Sequence, residues 1–95
     1  MDNNKTNQYY LEDFRFNMKL YRERLGLSQT DLAIASDCGT GTIGGIESGK
    51  AKPSFDMIIK IAEGLNVHPA DLFKRDVTKS KADMKKELIN AINKS

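Results

Sequence analysis

The chain has 95 residues, of which 39% are hydrophobic and 29% charged, and its formal net charge is +2. This length suits one domain with a single modest core, and a second domain is not expected. No apolar run approaches the roughly 20 residues that a membrane-spanning helix needs, and the polar start lacks the apolar core of a secretory signal. A single cysteine allows no internal disulfide, so we expect a protein of the reducing cytoplasm.

The charge is unevenly distributed along the chain. Residues 11–73 hold seven Lys or Arg against nine Asp or Glu, a net charge of −2, whereas residues 74–95 hold seven against three, a net charge of +4. A nucleic-acid binder usually gains much of its affinity by neutralising phosphates. Any cationic surface of residues 11–73 that faces nucleic acid must therefore be local.

An amphipathic helix is predicted at the start of the chain. Residues 1–8 are polar and predict a disordered tail. From about Tyr9 the apolar residues recur at steps of three and four, which is the spacing of one helix face. Gly26 is a favoured C-terminal cap and is expected to end this helix. The apolar stripe consists of Leu11, Phe14, Met18, Tyr21 and Leu25.

Two short helices joined by a tight turn are predicted between Ser28 and Gly49. The Ser28 hydroxyl can cap the first of them, with Asp31 as the acidic partner of a capping box. Asp37 lies where the chain must reverse, and its short polar side chain tolerates left-handed backbone. The residues expected to face the core are Leu32, Ala33 and Ser36 on the first helix, and Ile43 and Ile46 on the second.

Three further helices are expected after a loop that ends at Pro53. Ser54 can cap the first of them, and Asn66 is a plausible left-handed stop. Its apolar stripe is Phe55, Ile58, Ile61, Ala62 and Leu65. Pro69 suits the first turn of a short helix that ends at Phe73. Residues 74–79 are expected to be a linker, and residues 80–95 an amphipathic helix; with no strand-like alternation, the predicted fold class is all-α.

Several motifs in this order resemble one known family. They are Arg-Leu-Gly-Leu-Ser-Gln-Thr-Asp-Leu-Ala, Thr-Ile-Gly-Gly-Ile-Glu-Ser-Gly-Lys and Pro-Ser-Phe-Asp, the last followed further along by Ile-Ala-Glu-Gly-Leu-Asn-Val and Asp-Leu-Phe. Together they resemble the helix-turn-helix family of Cro and the phage repressors, often called the Xre family, over roughly residues 14–73. The resemblance implies a five-helix domain whose third helix, about residues 40–48, enters the DNA major groove. It also implies a homodimer on palindromic double-stranded DNA.

The resemblance also implies which residues contact DNA. Gln29 stands where relatives contact phosphate. The positions that often read bases are Thr40, Gly41 and Gly45, and those that contact the backbone or the groove edge are Thr42, Ser48, Lys50 and Lys52. Relatives often carry amide or guanidinium side chains at the reading positions, whereas glycines form no such bonds with bases. Arg22 and Glu47 stand at positions that pair in relatives, a structural rather than a DNA-contacting role.

The glycines of the predicted recognition helix need an explanation. Gly41, Gly44 and Gly45 each cost roughly 1 kcal/mol relative to alanine. One interpretation is that a bare helix surface approaches DNA or a partner closely. Thr40 and Thr42 would then be the side chains that contact bases, and specificity would depend more on DNA shape. The other is a degenerate or protein-facing helix.

Other conspicuous residues have structural interpretations. Cys38 is expected to be a buried, inert thiol, and His68 a helix cap or surface residue rather than a metal ligand, because no second ligand sits at metal spacing. Apolar residues outside the predicted stripes favour an association surface, and they are Ile34, Met57 and Ile59. The helix of residues 80–95 either packs back on the domain or pairs with a second copy, and we favour dimerisation.

These observations favour a sequence-specific DNA-binding regulator, either a dimeric repressor or an operon controller of restriction-modification or mobile-element type. The alternative is an antitoxin or other protein-interaction module that also regulates its own operon. No cofactor and no metal are expected. An enzyme is the weakest interpretation, because His68 and Cys38 lie in different elements and no paired carboxylates or phosphate-binding loop are present.

Overall fold

The computed structural model describes residues 3–75, with side chains described from Gln8 onward. Four α-helices follow one another as α1 (Asn3–Arg24), α2 (Gln29–Ala35), α3 (Thr40–Glu47) and α4 (Phe55–Leu65). A 3₁₀ helix (Pro69–Phe73) closes the described part. The predicted all-α class is confirmed over these residues. The five-helix count needs correction, because the fifth element is a single 3₁₀ stretch rather than an α-helix.

The helix α1 begins earlier than its apolar stripe. It starts at Asn3, so the expectation of a disordered tail over residues 1–8 is wrong for residues 3–8. The stripe marks where a helix buries a face, whereas backbone hydrogen bonding extends through polar residues that contain no proline or glycine. Residues 1–2, the rest of the predicted linker from residue 76 and the predicted helix of residues 80–95 lie outside the described residues.

The core lies between α1, α3, α4 and the 3₁₀ helix, and α2 packs onto it through its contacts with α3 and α4. Phe14 of α1 contacts Phe73 of the 3₁₀ helix, with ring centroids 5.4 Å apart. The fully buried apolar side chains are Phe14, Met18, Leu32, Ala33, Ile43, Ile46, Ile61, Ala62, Leu65 and Leu72. The prediction that Leu25 and Phe55 lie in the core is wrong, since Leu25 is 54% exposed and Phe55 is 75% exposed. Each lies at the end of a predicted stripe, where none of the described helices covers it.

Three turns end helices in the same way. Gly26, Asp37 and Asn66 have φ angles of 72°, 54° and 57°, so each adopts left-handed backbone. In each case the next residue donates its N–H to a carbonyl five residues earlier, as Cys38 does to Ala33 at 2.9 Å. This is the Schellman arrangement, which satisfies carbonyls that a helix end leaves free. The predictions for all three positions are confirmed, and the turn at Asp37 fixes how α3 leaves α2.

The caps predicted at helix starts are also present. Ser28 and Asp31 form the capping box of α2, and the hydrogen bond from the Ser28 backbone N–H lowers the pKa of the Asp31 carboxyl. Ser54 caps α4 by accepting from Met57 N–H at 3.1 Å. His68 caps the 3₁₀ helix, because its Nδ1 accepts from Ala70 N–H at 3.0 Å. The imidazole of His68 therefore has the capping role expected from the sequence.

The chain after the 3₁₀ helix is held against α1. Asn17 is buried, and its Nδ2 donates to the carbonyls of Leu72 and Lys74 at 3.0 and 2.6 Å. Arg75 reaches the buried carboxylate of Asp13 at 3.1 Å and lies 5.2 Å from the ring centre of Tyr9. The first two residues of the predicted linker are therefore anchored to α1.

Candidate nucleic-acid interface

Two isoleucine side chains pack the helix α3 against the core. Ile43 and Ile46 are buried, and the opposite surface of α3 is exposed at its first turn. Gly39 precedes the helix in extended conformation, and no side chain caps the start of α3. On the outer surface, Thr40 Oγ1 donates to Thr30 Oγ1 of α2 at 3.3 Å. The start of α3 is therefore presented to solvent beside α2, as a groove-inserting helix must be.

The residues expected to contact DNA fall into two groups. The exposed ones are Thr40, Gly41, Thr42, Ser48, Lys50 and Lys52, whereas Gln29 and Gly45 are half-buried. The exposed group runs from the first turn of α3 to the loop that follows it. The exposed side chains offer hydroxyls, methyl groups and two ammonium groups, which suit contacts to base edges and phosphates.

The side chain of Gln29 has a partner within the protein. Its Nε2 donates to Glu47 Oε1 at 3.0 Å, which ties the start of α2 to the end of α3. One amide hydrogen is thereby used, and one remains for another acceptor. Sequence reasoning assigned Gln29 only to phosphate and missed this contact, because no local spacing connects residues 29 and 47.

The ion pair of Arg22 and Glu47 joins α1 to α3. Arg22 Nε and Nη2 donate to the two carboxylate oxygens of Glu47 at 2.7 and 3.1 Å, and Nη1 donates to Leu27 O at 2.7 Å. The hydrogen bond to Glu47 raises the pKa of the Arg22 guanidinium, so the pair stays charged. With the bond from Gln29, one carboxylate fixes where three helices meet, and Glu47 is turned inward, away from the exposed surface of α3.

The three glycines of α3 differ in their surroundings. A Cβ at Gly41 would meet no atom within 4 Å in the part of the chain that the structure describes, where this position is open surface. At Gly44 a Cβ would lie 3.4 Å from Gln29 Oε1, and at Gly45 it would lie 3.4 Å from Ala51 Cβ. The side chain of Gln29 thus covers Gly44, and the following loop approaches Gly45. Of the three glycines, only Gly41 has no neighbouring atom within 4 Å among residues 3–75.

The thiol of Cys38 is expected from the sequence to be buried, but in the structure it is only half-buried beside the core. Burial raises its pKa above the ordinary value, although the nearby Lys60 acts in the opposite direction. A raised pKa keeps the group as a thiol at neutral pH, and the thiol is a weak nucleophile. Cys38 therefore fills space at the turn between α2 and α3.

The fold and this surface define a DNA-binding regulator of the helix-turn-helix class. Among the described residues, no helix combines the length and apolar character that crossing a bilayer requires. The helix-turn-helix family model HTH_3 matches residues 18–72. The chain belongs to this family, and the resemblance to Cro and the phage repressors is confirmed.

Solved structures of restriction-modification controller proteins share the fold. C.AhdI from Aeromonas hydrophila is 35% identical, and the match covers 66% of this chain and 96% of C.AhdI, with a TM-score of 0.64. Wild-type C.Esp1396I is 26% identical over 83% of this chain and 94% of its own, with a TM-score of 0.63. No curated protein sequence is significantly similar.

Proposed function

We propose that this protein is a cytoplasmic regulator that binds palindromic operator DNA as a homodimer and controls a restriction-modification operon without catalysing a reaction. The observation that supports DNA recognition most directly is the exposed first turn of α3 on a helix-turn-helix scaffold. The operon type is supported by the two controller proteins that the chain resembles.

The contacts that we propose divide between bases and phosphates. Thr40 and Thr42 contact base edges through hydroxyl and methyl groups. Ser48, Lys50 and Lys52 lie at or beyond the end of α3 and contact the sugar-phosphate backbone. Gln29 contributes its remaining amide hydrogen to a phosphate, and the bare surface of Gly41 lets α3 approach the groove closely. Gly45 lies against Ala51, so its part is to let the loop of Lys50 fold close to α3.

Dimerisation is supported by the short reach of α3. Its eight residues span only about 12 Å, which is the length of a few base pairs. One copy therefore reads too little sequence to find one operator in a genome, whereas two copies related by a two-fold axis read two half-sites. Ile34, which is 75% exposed, remains an association surface in this proposal, and Met57 does so less readily because it packs partly against the core.

Selection from randomised double-stranded DNA tests the proposal. We expect enrichment of a palindrome whose half-sites are about 10 base pairs apart, bound by two chains per duplex. Fluorescence anisotropy should then show that affinity falls steeply as the salt concentration rises. Replacing Lys50 and Lys52 with glutamine should make the slope of log K against log salt concentration shallower by about 0.9 for each phosphate contact that is lost. Absence of binding even at low salt would contradict the proposal and favour a protein-interaction module such as an antitoxin.

Replacing Gly41 with alanine separates stability from recognition. We expect the free energy of unfolding to rise by about 1 kcal/mol, because the methyl group meets no atom of the described residues within 4 Å and alanine favours the helix. We expect affinity for the selected operator to fall, because the methyl group would stand between α3 and the groove. Gly44→Ala is the control within the same helix, since Gln29 covers that position and the methyl group would not stand between α3 and the groove, so operator affinity should fall less than in Gly41→Ala. Unchanged affinity in Gly41→Ala would contradict a close approach at this position.

A further inference from the structure

A cleft lies beside the end of α3, on the side of α1. It has a volume of about 280 Å³ and is lined by Glu12, Arg15, Phe16, Lys19 and Glu47. Four of these residues belong to α1, a helix to which the resemblance assigns no DNA contact. The cleft therefore joins a new surface to the end of the proposed recognition helix.

The guanidinium of Arg15 lies close to the backbone of Gly49. A Cβ at Gly49 would lie 3.3 Å from Arg15 Nη1 and 3.4 Å from Cζ, so the guanidinium rests against the backbone where α3 gives way to its loop. Gly49 has a φ of 83°, so the absence of a side chain serves the turn as well as this approach. The next residue is Lys50, which brings two cations to the same end of α3.

Neither cation of the cleft, Arg15 or Lys19, forms an ion pair with a carboxylate in the described part of the chain. Glu47 also lines the cleft, but its carboxylate already accepts hydrogen bonds from Arg22 and Gln29. Glu12 is exposed one turn from Arg15, and neither Arg15 nor Lys19 has a carboxylate within 4.0 Å among these residues. The cleft thus presents two cations against one exposed carboxylate, although residues 11–73 have a net charge of −2.

We propose that Arg15 and Lys19 bind a phosphate of the DNA backbone just outside the half-site that α3 reads. This inference rests on the proposed function and extends its footprint by one backbone contact from α1. Arg15 suits the role because a planar guanidinium binds phosphate with paired hydrogen bonds. Lys19 adds a flexible point charge one turn away, and the flanking contact fixes the register of α3 without reading sequence.

The experiment compares two operator duplexes with the double variant Arg15→Gln, Lys19→Gln. One duplex ends at the outer edge of each half-site, and the other extends five base pairs beyond it. Wild-type protein is expected to bind the longer duplex more tightly and with a steeper salt dependence. The double variant is expected to lose this difference and to bind the shorter duplex as the wild type does.

Two controls make the outcome decisive. Lys60→Gln removes a cation from α4, where Lys60 faces Asp37, and should leave the length dependence intact. Thermal unfolding of the double variant should match the wild type; a large loss of stability with unchanged length dependence would assign Arg15 to the packing of α3 and overturn the inference. Equal losses on both duplexes would also overturn it. Absence of wild-type binding to either duplex would instead overturn the proposed function itself.

Discussion

Replacing Glu47 with alanine is expected to lower the free energy of unfolding by about 3–5 kcal/mol, because Arg22 would keep a buried charge without its partner. The two side chains are only 10% and 5% exposed. A small domain unfolds with a free energy of about 5–15 kcal/mol, so this loss is a large share of the total. Urea denaturation followed by circular dichroism measures it.

Two variants give this result its meaning. Glu23→Ala removes an exposed carboxylate from the same end of α1 and should change stability by less than about 0.5 kcal/mol. Replacing Arg22 and Glu47 together with methionine and leucine should restore much of the loss, since apolar residues of similar volume often replace a buried pair without penalty. A cost for Glu47→Ala no larger than that for Glu23→Ala would show that the pair does not hold α3 in place.

Replacing Gly64 with alanine is expected to destabilise the protein by about 1–3 kcal/mol. The added methyl group would lie 2.6 Å from Ser36 Oγ and 3.2 Å from the carbonyl carbon of Ala35, so α2 and α4 would have to separate. Helix propensity alone predicts a gain of about 1 kcal/mol, so even the sign of the change is informative. A gain would contradict close contact between α2 and α4.

Ser36 provides the companion test. Its Oγ is buried and has no hydrogen-bond partner among the described residues, which is costly for a hydroxyl. Ser36→Ala should therefore leave stability unchanged or raise it, and Gly64→Ala should cost less in that background than in the wild type. Gly41→Ala is the matched glycine control, because its methyl group would meet nothing within 4 Å. Equal costs in both backgrounds would show that Ser36 is not the obstacle.

The sequence was most informative where a few neighbouring residues decide the backbone. The left-handed turns at Gly26, Asp37 and Asn66 and the caps at Ser28 and Ser54 depend on local chemistry, and all are present. Periodicity located the helices but not their ends. Periodicity wrongly placed Leu25 and Phe55 in the core. An apolar stripe shows which face of a helix is apolar, but not whether another element covers every residue of that face.

The details of the candidate site were harder to predict because they join distant parts of the chain. The contact of Gln29 with Glu47 spans 18 residues, and the approach of Arg15 to Gly49 depends on how α1 crosses the end of α3. The glycines of α3 looked alike as a sequence, yet Gln29 covers one and Ala51 lies against another. Such contacts follow from tertiary packing, which no spacing rule encodes.

The anchoring of Lys74 and Arg75 to α1 has a mechanical consequence. Asp13 and Asn17 of α1 bind the chain as it leaves the 3₁₀ helix, and α1 also carries Arg22, five residues beyond Asn17. A displacement of Lys74 and Arg75 would therefore act on α1, and α1 is in turn tied to the end of α3 by the ion pair of Arg22 with Glu47. The segment that follows the 3₁₀ helix and the end of α3 are thus both positioned by α1.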